Sequence, residues 1–281
     1  MLIDASELKR HLADPAWIVF DCRHDLFDFE KGARLYADGH LPGAYFLPVE
    51  TALAGAKSGA NGRHPLPSPA AFAAVLNAHG VTPQTQLVAY DDVGGQYAAR
   101  FWWLARWIGL THVGVLDGGL PKWLGTGGPL TTERPVLRGG GTVEARPDCS
   151  LAVAVDAVQA GIASQEWLVV DARAAERFHG ETEPIDRVAG HIPSAQNRFF
   201  KANLNPDLTM RPAEDLRREF LALLGGRSPE KVVHQCGSGV TACVNLLAME
   251  HAGLGGSKLY AGSWSEWIAD PARPVARGAA S

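Results

Sequence analysis

Residues 167–173 read WLVVDAR and residues 17–23 read WIVFDCR: in each, an apolar run closes on an aspartate, Asp171 or Asp21, followed two positions later by an arginine. The correspondence continues outward in one order. GHLPGA at 39–44 is answered by GHIPSA at 190–195, LVAYDD at 87–92 by KVVHQC at 231–236, and LDGGLPKW at 116–123 by YAGSWSEW at 260–267. Four short blocks at an offset of about 144–151 residues are two copies of one fold, because a chance match would not stay in register. A chain of 281 residues divides naturally into two domains of roughly 140 residues, each able to bury its own core.

Within each copy the apolar runs Ile18 to Phe20, Leu87 to Tyr90, Leu168 to Val170 and Val232 to Val233 alternate with helical patterns. That alternation predicts an α/β fold, in each copy a mainly parallel sheet flanked by helices. SPAAFAAVLNAHG at 68–80 predicts a helix with Ser68 as N-cap, Pro69 in its first turn and Gly80 just past its end. Leu216, Phe220, Leu223 and Leu224 fall at helical spacing, and Asp4 with Glu7 reads as a capping box. Residues 125–150 are rich in Gly, Pro, Thr and Arg without periodicity. The expected organisation is therefore a first domain over 1–125, a linker over 126–150 and a second domain over 151–281.

Composition narrows the partners. With 46% apolar and 20% charged residues, the chain is of ordinary folded type. Its 26 basic and 30 acidic residues leave a net charge of −4, so no nucleic-acid partner is expected and an anionic substrate has to be held by local positive charge. There is no apolar run of membrane-spanning length, and MLIDASELKRHLADP lacks the layout of a secretory leader, so no membrane partner and a cytoplasmic location are expected. Cys22, Cys149, Cys236 and Cys243 show no C-x-x-C pair; they read as free thiols, with neither a disulfide framework nor a metal site.

The chemistry sits in KVVHQCGSGVTACVNLLAMEHAG, residues 231–253. An apolar strand ends at Cys236, a loop with Gly237 and Gly239 follows, and a helical pattern opens near Thr241 and stops before Gly253. Alternating glycines let successive backbone N–H groups turn toward one point, here the cysteine sulfur. Those donors and the helix N-terminus favour a thiolate, as they favour any anion, which makes Cys236 a nucleophile. Cys22 and Cys149 read as small buried apolar residues, and Cys243, two turns along the helix, as a packing residue. Aligning LVAYD at 87–91 on VVHQC at 232–236 sets Asp91 in the first copy where Cys236 stands in the second. An acidic side chain at the mouth of such a loop repels anionic substrates and lacks the thiol nucleophile, so the first copy is expected to be an inactive scaffold.

The loop CGSGVTA, the blocks GHLPGA and GHIPSA, GRHPLP at 62–67 and YAGSWSEW together resemble a tandem-domain rhodanese-family sulfurtransferase over nearly the whole chain. The resemblance implies a doubled α/β domain with an active C-terminal copy. The loop is similar to that of the 3-mercaptopyruvate branch, because the thiosulfate branch carries basic residues after its cysteine; a neutral loop holds a dianion less strongly. Ala261 departs from the family pattern, which has Asp in that block.

The resemblance implies a covalent transfer: Cys236 takes sulfur from a small-molecule donor as a persulfide and passes it to cyanide or to a thiol acceptor such as thioredoxin, with no cofactor required. Gly237, Gly239, Val240 and Thr241 line the donor site. Two arginines of ERFHGETEPIDR, Arg177 and Arg187, are expected to grip the donor's carboxylate, since a planar fork binds both oxygens. Breaking a C–S bond leaves an enolate that needs a proton, and Ser238 is the local donor. By the resemblance, His40 of GHLPGA and a first-domain carboxylate, taken as Asp28, orient that serine. His191, the twin of His40, reads as structural, Arg63 and His64 as either cleft-lining or plain loop residues, and Trp102, Trp103, Trp264 and Trp267 as core. Two rivals remain. A phosphatase of C-x₅-R type is disfavoured because the arginine position is Ala242. A non-catalytic docking module is disfavoured because Cys236 is kept in its glycine loop.

Overall fold

The computed structural model describes residues 1–279, which form two compact units. Unit 1 comprises Met1–Gly55, Leu66–Asp148 and Asn205–Met210; unit 2 takes Ala56–Pro65, Cys149–Leu204 and the chain from Arg211 onward.

Unit 1 carries strands β1 (Leu2–Ile3), β2 (Trp17–Asp21), β3 (Tyr45–Phe46), β4 (Gln86–Tyr90) and β5 (Val113–Leu116) in a parallel sheet ordered β1-β5-β4-β2-β3. Its helices are α1 (Ala5–His11), α2 (Lys31–Asp38), α3 (Val49–Ala52), α4 (Pro69–Ala78), α5 (Ala98–Trp107) and α6 (Gly119–Gly125). The caps fall as read: the Asp4 side chain accepts from the Glu7 amide at 2.8 Å, and Ser68 accepts from Ala71 at 3.1 Å with Pro69 opening α4. Val19, Val88, Tyr90, Leu116 and Trp123 pack into one core.

Unit 2 repeats the plan. Helices α7 (Val155–Ala163), α8 (Ala175–His179), α9 (Ala213–Leu224), α10 (Ala242–His251) and α11 (Ser263–Trp267) surround strands β6 (Leu168–Asp171), β7 (Gln196–Asn197), β8 (Val232–Gln235) and β9 (Lys258–Leu259), which are parallel in the order β7-β6-β8-β9. Val169, Phe178, Val233, Trp264 and Trp267 form its core, and α9 buries Leu216, Phe220 and Leu224.

Each copy ends an interior strand, β2 or β6, in the same buried fork. Arg23 holds Asp21 through Nε and Nη2, at 2.6 Å for the shortest bond, and donates to the Gly39 carbonyl; Arg173 does the same to Asp171 and Gly190. Such buried pairs add little net stability, but removing either partner leaves a stranded charge, so they fix the loops they tie.

The segment expected as a linker, 126–150, lies along unit 1 for most of its length. Backbone bonds Thr131 to His40, Gly141 to Asn77, Thr142 to Val81 and Arg146 to Ile108 lay residues 131–146 onto unit 1, because an aperiodic chain can satisfy its amides by pairing with loop carbonyls. Trp102, Trp103, Trp264 and Trp267 are buried as expected, and so is Cys22, but Cys149 is exposed rather than packed inside. Among the described residues, no helix is long and apolar enough to cross a membrane.

Strand β8 also buries His234, whose Nε2 lies 3.1 Å from Met249 Sδ and whose Nδ1 has no hydrogen-bond partner among the described residues. Burial pushes its imidazole down from 6.5 to about 3. Unfolded chains then bind this proton as pH falls below about 6.5 while folded chains refuse it, so stability drops on the acid side, by about 2 kcal/mol from this group at pH 5. In denaturant titrations at pH 7 and pH 5, His234→Leu is expected to shrink the acid loss by about that amount; an equal loss in both proteins would contradict it.

Candidate active site

β8 delivers Cys236 to the start of a tight loop that turns into α10 at Thr241. The loop is held in three places. The Cys236 amide donates to Ser263 Oγ at 3.1 Å, and the Cys236 and Gly237 carbonyls accept from the Trp264 and Ser265 amides at 3.0 Å each. The Gly239 amide donates to Cys236 Sγ at 3.1 Å. Gly239 has φ +75, and a Cβ there would stand 2.3 Å from the Ala261 carbonyl oxygen, so glycine is required both by conformation and by space. This is also where Ala261 meets the loop, through its backbone. Cys243 is buried on α10 with Sγ directed at the Gly239 carbonyl, 3.4 Å away, as expected of a packing residue.

Asp91 shows what the same loop holds in the other copy. Its carboxylate accepts from the amides of Val93, Gly95, Tyr97 and Ala98 at 2.8–3.0 Å. Burial drives this carboxyl above the ordinary range, against the pull of those four amides. The expectation that Asp91 stands at the loop mouth and repels substrates needs correcting: it is fully buried and fills the anion cradle with a built-in carboxylate.

Ser238 is buried, and its Oγ shares a hydrogen bond of 2.8 Å with His64 Nδ1. The histidine against Ser238 is therefore His64, from GRHPLP, and not His40. The His40 ring faces the carbonyls of Tyr36 (2.8 Å) and Glu133 (3.1 Å) and stacks on Tyr36, while its twin His191 bonds Phe178 O at 2.7 Å and stacks on Phe178. Both are framework residues. Asp28 is half-buried and ion-paired with Arg34, which lowers its carboxyl below the usual range, so its carboxylate is held locally and not by the serine relay.

Arg177, in the last turn of α8, reaches the loop: a Cβ on Gly237 would lie 3.6 Å from Arg177 Nη2 and 2.7 Å from Arg63 Nη2. Two guanidinium groups thus stand over the residue after the cysteine, and glycine leaves them room. Arg187, expected beside Arg177, instead donates to the carbonyls of Ile268 (2.6 Å) and Ala269 (3.2 Å), where the end of α11 offers unsatisfied acceptors. The second cation at the loop is Arg63. Glu183 receives the Arg177 fork at 2.7–3.1 Å, and Asp186 bonds both Arg177 Nη2, at 3.1 Å, and Arg63 Nη1. Gly62, Arg63, Asp186, Arg187 and Ser265 line a cavity of about 440 Å³ that opens onto this cluster.

Reading the sequence also missed Ser263. It adopts φ +54, where its twin Gly119 has φ +55, and its Oγ bonds the Tyr260 carbonyl at 2.9 Å while receiving the Cys236 amide. The paired blocks held the signal: a serine aligned with a left-handed glycine is strained, and strain of that sort collects at functional sites.

A doubled parallel α/β unit with a cysteine in an anion-holding loop of the second copy defines the architecture. The rhodanese-like domain model matches residues 4–126 and 154–270, and the chain belongs to that family. It is 48% identical over 279 residues, 99% of this chain and 98% of the relative, to a protein of Pseudomonas aeruginosa named "probable 3-mercaptopyruvate sulfurtransferase". It is 38% identical over 287 residues, 100% of this chain and 98% of the relative, to a Mycobacterium tuberculosis protein named "putative thiosulfate sulfurtransferase SseB". The crystal structure of a 3-mercaptopyruvate sulfotransferase from Escherichia coli superposes with a TM-score of 0.80 at 32% identity, covering 94% of this chain and 98% of that one. Relatives over the full length are sulfurtransferases, named for two different donors.

Proposed function

We propose that the protein transfers sulfur from 3-mercaptopyruvate to a thiol or cyanide through a persulfide on Cys236. The observation that carries this is the Gly239 amide on Cys236 Sγ at 3.1 Å, with the Arg63 and Arg177 guanidinium groups beside Gly237. The loop amide supports a sulfur anion, and the two guanidinium groups suit the donor's carboxylate. Arg63 Nε is buried without a hydrogen-bond partner among the described residues and so keeps a donor for a ligand.

In the first half-reaction the Cys236 thiolate attacks the donor sulfur. An S–S bond forms, the C–S bond breaks, and its electron pair goes to carbon as the enolate of pyruvate. Ser238, with His64 behind it, supplies the proton to that carbon. In the second, an acceptor thiolate takes the outer sulfur and frees Cys236. Thioredoxin or a small thiol fits this step, and cysteines that form no disulfide among the described residues agree with a reducing, cytoplasmic setting.

Arg63 and Arg177 also favour a second reading, thiosulfate as donor, because they place cationic groups beside a loop that is itself neutral. Comparing kcat/KM for the two donors tests the choice: mercaptopyruvate is expected to lead by at least about tenfold, with ping-pong kinetics. A lead for thiosulfate would overturn the assignment of the donor.

A further inference from the structure

We infer that Asp186 sets the donor selectivity of the Cys236 site by cancelling one positive charge between Arg63 and Arg177. The inference rests on the sulfur-transfer reading above. Three guanidinium groups, of Arg63, Arg173 and Arg177, and three carboxylates, of Asp171, Glu183 and Asp186, form one connected cluster beside the loop. Four of the six side chains are tied in pairs or forks that also serve the framework: Asp171 and Arg173 close strand β6 of the unit, and Glu183 takes both Arg173 and Arg177. Asp186 differs. Its two oxygens go to two arginines from separate segments, and both of those arginines stand over Gly237.

The aspartate cannot swing aside. Its own amide and that of Ile185 donate to Glu183 Oε1 at 3.0 and 3.1 Å, which fixes the turn, and its carboxylate is only 5% exposed. It is therefore a fixed counter-charge on the wall of the 440 Å³ cavity. With it in place the cluster sums to zero, and a donor gains from the directed N–H bonds of the arginines more than from their net charge. Without it the cluster carries one excess positive charge. A dianion feels that excess twice as strongly as a monoanion, so whatever factor a carboxylate donor gains, thiosulfate gains squared. Asp186 is a positioning residue that acts through Arg63 and Arg177.

The test is the ratio of thiosulfate to mercaptopyruvate kcat/KM in wild type, Asp186→Asn and Asp186→Glu. Asp186→Asn is expected to raise that ratio at least about tenfold, and Asp186→Glu, which keeps the charge, to stay within about threefold of wild type. Should Asp186→Asn not fold, Asp186→Ser removes the same charge with a smaller side chain. Calorimetric binding of sulfate and of pyruvate reads the same selectivity without turnover: sulfate is expected to gain at least about tenfold over pyruvate in the uncharged variants. A ratio unchanged by removal of the charge, or shifted equally by Asp186→Glu, overturns the inference. Wild-type rates alone decide whether mercaptopyruvate is the donor, so failure of that reading shows separately.

Discussion

Cys236→Ser is expected to lower sulfur transfer by at least about 10³-fold while leaving the fold intact. The serine oxygen can keep the 3.1 Å contact with the Gly239 amide, and the three backbone anchors of the loop do not involve the side chain, so structure should survive. What is lost is the atom that can bond a second sulfur. Mass spectrometry of donor-treated protein should show one added sulfur on Cys236 in the wild type and none in the variant. Cys149 complicates reagents that select by access, because it is exposed while Cys236 is 2% exposed. The comparison is therefore best made in a Cys149→Ser background, where the persulfide should persist. Retention of more than about a tenth of the rate in Cys236→Ser would move the nucleophile elsewhere and remove the proposed mechanism.

The repeat carried most of the fold into view, because each block sits at a strand end where backbone geometry allows few residues. Asp21 with Asp171, His40 with His191 and Asp91 with Cys236 occupy equivalent places. The same repeat held a warning about His40. A residue present in both copies and bonded alike in both serves the architecture, whereas a task done by one copy falls to residues without a twin. Asp28 failed for a simpler reason: beside Arg34, it finds its partner locally.

The sequence left Arg63 and His64 undecided between cleft-lining and plain loop residues, for a physical cause. Residues 56–65 belong with unit 2 although more than a hundred positions of chain separate them from Ser238 and Asp186, and no periodicity reports such a pairing. Arg187 could not be separated from Arg63 by counting, since the choice lay in which guanidinium found carbonyls to hold.

Ser238→Ala discriminates between donors by chemistry and not by charge. Mercaptopyruvate leaves as a carbanion equivalent that must be protonated, whereas thiosulfate leaves as sulfite, which departs stable and ionised. A positioned proton donor is worth about 10²–10⁴-fold in such a step. Ser238→Ala is accordingly expected to cut kcat with mercaptopyruvate by at least about 10²-fold and to change thiosulfate turnover by less than about tenfold. His64→Ala should fall in the same direction. The double variant should be little worse than the worse single one, because the 2.8 Å bond makes the two residues one relay. Additive losses would mean that His64 acts apart from Ser238, and equal losses with both donors would assign the serine to shaping the loop. On the proposed reading the cradle and the relay divide the work: one serves the sulfur whatever its source, and the other matters only when the bond that breaks ends on carbon.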